Sequence, residues 1–154
     1  MMLPTLTIEF PCPPAVLRGN SRGSTRGAVM GRHQVGKTFR NDRIMQLRQE
    51  IIDHEAARFH RGWGAPDFTQ GIVIQYTQHY WRKPVDADNI LMGLKSVQDA
   101  LRAIGLPDDS PEWVTVLPVK YVRVQHRDEA KVVMQITEAR RVANDSGATG
   151  AELS

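Results

Sequence analysis

Alternating and periodic runs of apolar residues divide the chain into elements of secondary structure. β-Branched and aromatic residues alternate with polar ones between proline-rich or glycine-rich breaks, which predicts strands over 3–10, 72–81, 113–125 and 130–137. Apolar residues recur at helical spacing over 41–59 and 88–104, which predicts helices there. The order β-α-β-α-β-β predicts an α/β or α+β domain over residues 1–138, with two main helices packed on a mixed sheet.

Two segments lack this patterning. Residues 18–35 are rich in glycine, serine and arginine without a periodic apolar pattern, so we expect a loop or a hairpin-like excursion. Residues 139–154 are rich in alanine, glycine, serine and aspartate and lack core residues, so we expect a disordered tail.

The composition is that of one soluble domain. The chain has 154 residues, of which 41% are apolar and 24% charged. A lone cysteine, Cys12, excludes an internal disulfide and a cysteine-rich zinc module. No stretch approaches the roughly 18 apolar residues of a membrane helix, and none has the form of a secretory signal. We therefore expect a cytoplasmic protein without a membrane partner.

Positive charge is concentrated near the N-terminus, although the formal net charge is only +3. One stretch in which Asp42 is the only acid contains Arg18, Arg22, Arg26, Arg32, Lys37, Arg40 and Arg43. Such a block fits either a solvated basic loop or an electrostatic surface for a polyanion such as DNA.

Acidic residues flank the second predicted helix. At about 100° per residue, the helix places Met92, Lys95 and Asp99 on the same stripe as Asp88. The opposite, buried face is expected to carry Ile90, Leu94, Val97, Leu101 and Ile104.

This pattern has an ordinary interpretation and a functional one. In the ordinary one, Asp88 is a helix N-cap, Lys95 and Asp99 form a surface pair, and Asp108 and Asp109 belong to a loop. A cap needs one carboxylate, however, and Asp86 adds a like charge that a cation would neutralise. Carboxylate oxygens suit Mg²⁺, for which Mn²⁺ can substitute, and a lysine stabilises phosphate charge, so the set favours a metal-dependent nuclease.

A second motif points elsewhere. Residues 31–38, GRHQVGKT, match the phosphate-binding loop G-x-x-x-x-G-K-T. That loop needs a buried strand before it and a later strand ending in aspartate, and neither is predicted here. We therefore interpret the segment as a loop in which Lys37 touches a DNA phosphate, with no nucleotide cofactor. A phosphate-binding-loop protein and a non-catalytic DNA-binding module remain as alternatives.

Three motifs together resemble a known family. KPVDADN at 83–89, QDAL at 98–101 and GLPDDS at 105–110 resemble the RusA-like Holliday junction resolvases of phages and prophages. IEFPCPP at 8–14 is similar to the family's first strand and its proline-rich exit. The resemblance extends from about residue 3 to residue 137.

The resemblance implies a RusA-like fold and a Mg²⁺-dependent endodeoxyribonuclease that resolves four-way junctions by hydrolysis, in DNA recombination and repair in a bacterial cytoplasm. It implies that Asp86, Asp88 and Asp109 bind the metal and that Lys95 is the catalytic lysine. Two symmetric nicks favour a two-fold homodimer. DNA contacts are expected from the arginine and lysine residues of 18–43, together with Arg82 and Lys83.

The chain departs from the family pattern in two places. The family's lysine follows the second aspartate by four residues, where this chain has Met92, and Lys95 lies one turn further along the same face. Val85 stands where the family has a basic residue, which leaves Arg82 or Lys83 to contact phosphate.

Two further positions keep two interpretations each. A helix of about 15 residues is roughly 22 Å long, whereas the loop from Ile104 to Asp109 spans at most about 17 Å. Asp109 therefore meets Asp88 within one subunit only if the loop runs straight back, and otherwise a dimer partner supplies it. Trp81 is either a core or rim residue or a platform for an unpaired base.

Overall fold

A mixed sheet with one central strand organises the fold. The structure, a computed structural model, describes residues 4–18, 26–57, 64–108 and 110–139, with the backbone alone for 26–30 and 32. The strands are β1 (Thr5–Phe10), β2 (Ile72–Tyr80), β3 (Val114–Val116), β4 (Lys120–Arg123) and β5 (Lys131–Glu138). The helices are α1 (Arg26–Ala56), α2 (Ala87–Gly93) and α3 (Lys95–Arg102), and short 3₁₀ turns occupy Ala15–Leu17, Phe68–Gln70 and Arg127–Glu129.

Strand β2 has a different partner on each side. β5 runs antiparallel between β1 and β2, whereas β3 and β4 both pair in parallel with the other edge of β2. The helices α2 and α3 lie in the connection from β2 to β3, as expected for parallel neighbours. The predicted mixed α+β architecture is confirmed.

The predicted single strand over 113–125 is wrong, because the edge strand is interrupted. Ile74 pairs with Val116 and Thr77 pairs with Lys120, so the edge strand carries one more residue than β2 between these pairs, as in a β-bulge. Pro118 lies in the interruption and has no N–H to continue the ladder. The side chain of Gln75 instead donates to the Pro118 carbonyl at 2.7 Å.

The core lies between the sheet and one face of the helices. On β2, Ile72, Ile74 and Tyr76 alternate inward and are fully buried. The predicted apolar face of the second helical segment is confirmed, since it is buried at Ile90, Leu94, Val97 and Leu101 and partly buried at Ile104.

The helix α1 begins far earlier than its apolar pattern predicts. Residues 26–35, expected to be a loop, are helical. A Cβ on Gly36 would lie 3.5 Å from the Leu17 side chain, so this turn packs against the exit of β1. Phe39 is buried and meets Phe10 edge to face, with ring centroids 5.9 Å apart. Tertiary packing of this kind, more than local amphipathicity, sustains most helices in proteins.

The predicted continuous helix over 88–104 is also wrong, because it breaks at Leu94. Leu94 has φ −87° and ψ −2°, and Val97 N–H donates to the Leu94 carbonyl at 3.0 Å in a tight i to i+3 bond. The preceding residue, Gly93, is in close contact with Pro13. The segment therefore forms two short helices, α2 and α3, that meet at the buried Leu94.

The described chain ends beside the start of β2, where Ala139 N–H donates to the Gly71 carbonyl at 3.0 Å. The predicted disordered tail lies outside the described residues from position 140 onwards. Of the helices described, none is long and apolar enough to cross a membrane.

Candidate active site

Asp86 occupies the N-cap position of α2 without capping the helix through its side chain. Its backbone is extended, with φ −55° and ψ 146°, and its carbonyl accepts from Ile90 N–H at 3.0 Å. Its exposed carboxylate makes no capping hydrogen bond. The ordinary interpretation of Asp88 as the cap is therefore wrong, because Asp88 lies in the first turn of the helix. Both carboxylates are exposed at the start of α2.

The loop that precedes Asp86 is held on both sides at Val85. The buried Gln78 of β2 accepts a hydrogen bond from Val85 N–H at 3.2 Å through Oε1. Tyr121 of β4 donates its hydroxyl hydrogen to the Val85 carbonyl, also at 3.2 Å. Because both backbone polar groups of Val85 have fixed partners, the position of the adjacent Asp86 is set by the sheet.

Basic side chains share a depression with Asp86. This depression has a volume of about 270 Å³ and is lined by Arg18, Lys83, Pro84, Val85, Asp86 and Asn89. The buried Nε of Arg18 has no hydrogen-bond partner among the described residues. The depression thus combines oxygen donors for a cation with positively charged groups for an anion.

Gly93 determines where Arg18 lies. A Cβ added at Gly93 would stand 2.8 Å from Pro13 Cβ and 3.3 Å from Arg18 Cγ, so only glycine permits this approach. The aliphatic stem of Arg18 consequently packs against α2 and is not free in solvent. Of the arginine side chains that the structure describes in the N-terminal basic block, Arg18 is the one that lines the depression beside Asp86.

Lys95 and Asp88 line a second depression, with a volume of about 600 Å³, together with Leu91, Met92 and Gln98. The prediction that Asp88, Met92 and Lys95 share a face is confirmed. Asp99, four residues after Lys95 on α3, lines a separate depression with Arg40 and Arg102, so its place on the stripe of Asp88 stays a prediction.

Tyr121 is a site residue that the sequence did not indicate. It is 40% exposed, and its ring meets Tyr80 edge to face with centroids 6.4 Å apart. Its pKa is raised, first by burial and then by the negative charges of Asp86 and Asp88. The hydroxyl is therefore close enough to both carboxylates to respond to their charge. An aromatic residue on a strand otherwise rich in charge was the one available cue.

Two carboxylates with an adjacent amide form a donor set that fits Mg²⁺. Mg²⁺ is usually bound through one or two carboxylates, with waters and substrate phosphates completing the octahedron. Asp86 and Asp88 can supply the carboxylates and Asn89 a carbonyl oxygen. Across residues 4–18, 26–57, 64–108 and 110–139, no group of three histidine, cysteine or acidic side chains could hold a metal ion. Asp109, the predicted third acid, lies outside the described residues.

The predicted DNA contacts are spread over several elements. Lys83 and Arg18 are beside Asp86, Arg82 lies over the Trp81 ring, and Lys37 is exposed on α1. Arg40 lines the depression that contains Asp99. Arg22 lies outside the described residues, and Arg26 and Arg32 are placed in α1 by their backbone alone.

The phosphate-binding-loop motif is not in a loop. Residues 31–38 lie inside α1, where backbone N–H groups bond to carbonyls one turn earlier and cannot cradle a phosphate. The prediction of a glycine-rich loop at Lys37 is therefore wrong, although the side chain itself is exposed.

Comparison with known proteins does not assign a function to this chain. The chain matches no sequence model of a known protein family and no curated protein.

Proposed function

We propose that the protein is a Mg²⁺-dependent endonuclease that hydrolyses phosphodiester bonds in branched DNA. The observation that carries the proposal is the carboxylate of Asp86, which does not cap its helix and lies in one depression with Arg18 and Lys83. A nuclease needs this combination, because acids bind the metal while cations offset the repulsion between those acids and DNA.

Asp86 and Asp88 are the proposed metal ligands, and Asp109 is the proposed third. When bound there, Mg²⁺ would lower the pKa of the attacking water and neutralise charge on the scissile phosphate. Arg18 and Lys83 hold phosphate oxygens beside Asp86. Lys95, which shares a depression with Asp88, stabilises charge on the leaving oxygen.

The proposed substrate class is branched DNA, the four-way junction in particular. The motifs around Asp86, Asp99 and Asp109 resemble those of RusA-like resolvases, and the exposed Lys37 extends the basic surface along α1. A two-fold homodimer would present two such sites for paired nicks. The proposed setting is DNA recombination and repair in a bacterial cytoplasm.

A non-catalytic DNA-binding module is the second candidate. It is favoured by the finding that the described residues bring together no group of three histidine, cysteine or acidic side chains that could hold a metal ion. The same cations would then hold DNA that is never cut.

A cleavage assay separates these two functions. A labelled four-way junction and a linear duplex of the same sequence are incubated with the protein in Mg²⁺, in Mn²⁺ and in EDTA. We expect symmetric cleavage of the junction alone, dependent on the metal. Tight junction binding without cleavage in either metal would establish the binding module instead.

A further inference from the structure

A depression of about 450 Å³ lies where two parallel strands end. It is lined by Trp81, Arg82, Arg123, Val124 and Gln125. β2 ends at Tyr80 and β4 ends at Arg123, and Val124 N–H donates to the Tyr80 carbonyl at 2.8 Å. Ligands of open α/β sheets commonly bind in crevices at the carboxyl ends of parallel strands. The volume is within the range of about 300–1,000 Å³ typical of small-ligand sites.

The backbone beside this depression is strained at Arg82. Lys83 N–H donates to the Trp81 carbonyl at 2.8 Å, which closes a three-residue turn with Arg82 at its centre. Arg82 has a φ of 66°, and it is the one residue other than glycine with a positive φ in the described chain. Turns of this type are rare and strained, and glycine would adopt this φ without steric cost. Strained residues of this kind cluster at ligand clamps and active sites.

The strained turn places a planar cation on an aromatic ring. The Arg82 guanidinium carbon lies 4.0 Å from the centroid of the Trp81 ring, within the range of a cation–π contact. Flat arginine and tryptophan surfaces are the groups on which proteins stack unpaired bases. Arg123 adds positive charge for a phosphate, and the amide of Gln125 can both donate to and accept from a base edge.

We propose that this depression binds an unpaired nucleobase of the DNA substrate, together with its phosphate. The inference rests on the proposed function and extends it, since it states how branched DNA is distinguished from duplex. A base in intact duplex is stacked and paired, and extruding it costs free energy that is smallest for a base already unpaired, such as one at a flap or at an opened branch point.

The depression is connected directly to the candidate active site. Asp86 follows Trp81 by five residues in one loop, a chain length of at most about 17 Å. Tyr121 of β4 holds this loop at Val85, and Arg123 of the same strand lines the depression. A base held at Trp81 therefore places neighbouring phosphates of its strand beside Asp86 and Lys83.

The experiment measures binding without cleavage. Junctions or flaps that carry one unpaired 2-aminopurine at the branch are titrated with protein in EDTA, and fluorescence quenching and anisotropy are recorded. A fully paired duplex of equal length is the comparison, and free dAMP is tested as a competitor. We expect quenching on the branched DNA and no competition by dAMP, since a free nucleotide lacks the flanking phosphates.

Trp81→Ala should weaken binding of the branched DNA about tenfold and abolish the quenching, while changing duplex affinity less than twofold. Trp81→Phe should restore most of the loss, because it keeps a stacking ring. Arg82→Gly should keep the melting temperature of the wild type, since glycine accepts the positive φ, and still weaken branched-DNA binding. Lys120→Gln, an exposed change on β4 outside the depression, is the matched control and should leave the preference intact.

Equal weakening of branched and duplex DNA by Trp81→Ala, or quenching that persists in it, would overturn the inference. Competition by dAMP that depends on Trp81 would replace it with a free-nucleotide site. If Trp81→Ala fails to fold, Arg123→Gln and Gln125→Ala, both at exposed residues, are measured in the same assay. The same outcomes then support or overturn the inference. A preference for branched DNA that the Trp81 variants retain, in a protein that cleaves junctions, refutes this subsite alone, and selective binding by the wild type without cleavage in Mg²⁺ refutes only the proposed catalysis.

Discussion

Gln78 and Tyr121 are register partners on the parallel strands β2 and β4, and their side chains hold opposite polar groups of one residue, Val85. Gln78 accepts from the N–H and Tyr121 donates to the carbonyl. A buried glutamine costs free energy unless it is hydrogen-bonded, so Gln78 is explained by the loop that it fixes. The loop that carries Val85 and Asp86 is consequently attached to both β2 and β4, and its position is fixed relative to the sheet.

The first prediction concerns the proposed metal ligands. Asp88→Asn should abolish junction cleavage while leaving junction affinity unchanged or improved, because it removes a proposed metal ligand and one negative charge from the proposed DNA-binding surface. Asp86→Asn should behave alike. Cleavage rate and equilibrium binding are measured for each variant. Asp128→Asn, in the exposed Arg127–Glu129 turn, is the control. A folded Asp88→Asn protein that cuts within about tenfold of wild type would contradict the assignment.

A second prediction uses the ionisation of Tyr121. Burial and then the charges of Asp86 and Asp88 raise its pKa, because a phenolate beside two carboxylates is unfavourable. Asp86→Asn should lower the pKa of Tyr121 towards its ordinary value near 10. The wild-type hydroxyl should therefore stay protonated, and Val85 stay held, to a higher pH than in the variant.

Ultraviolet titration of phenolate absorbance in EDTA measures this shift, with Tyr121→Phe identifying the transition that belongs to this residue. A Tyr121 transition at the same pH in wild type and in both asparagine variants would show that the carboxylates are not close to the hydroxyl.

Gly93 gives a third prediction. In Gly93→Ala the new methyl would meet Pro13 Cβ at 2.8 Å, so Pro13, Arg18 or α2 must shift. Overpacking of this kind costs about 1–3 kcal/mol of unfolding free energy. Displacement of Arg18 should also weaken DNA binding. Urea denaturation and DNA titration measure the two effects.

Gly31→Ala is the matched control, because nothing lies within 4 Å of its new Cβ on α1. Alanine in an exposed helix interior should stabilise the protein by up to about 1 kcal/mol. Equal stability changes in the two alanine variants would show that the close approach at Gly93 carries no cost.

The parts of the fold that the sequence predicts are those set by local patterning. The alternation on β2 and the buried face of Ile90, Leu94 and Val97 follow from periods of two and 3.6 residues. The first half of α1 does not, because Gly36 and Phe39 are supported by Leu17 and Phe10 on a distant segment. Contacts of this kind produce no periodic apolar pattern in the sequence of the helix itself.

The candidate site likewise contains residues that local spacing predicts and one that it does not. Asp86, Asp88 and Lys95 could be proposed from their spacing on one helical segment. Tyr121 could not, because it reaches Val85 from 36 positions away along the chain. That contact depends on the parallel pairing of β4 with β2, and on a bulge that sets which residues of β4 face the loop. Strand pairing of this kind is a property of the folded sheet.

The last prediction concerns which position carries the proposed catalytic lysine. Met92 and Lys95 line the same depression as Asp88, and Met92 is 62% exposed. Lys95→Ala should lower the cleavage rate in saturating DNA far more than it weakens binding. The positive charge of the lysine is needed in the transition state, when negative charge develops on the leaving oxygen. Met92→Lys in the Lys95→Ala background restores a cation to the same depression one turn closer to Asp88, so it should recover part of that rate. Lys131→Ala, on β5 and outside this depression, is the control for charge alone. A Lys95→Ala protein that loses affinity in proportion to its loss of rate would make Lys95 a DNA contact, and no recovery on adding Met92→Lys would show that the reaction needs the lysine at position 95.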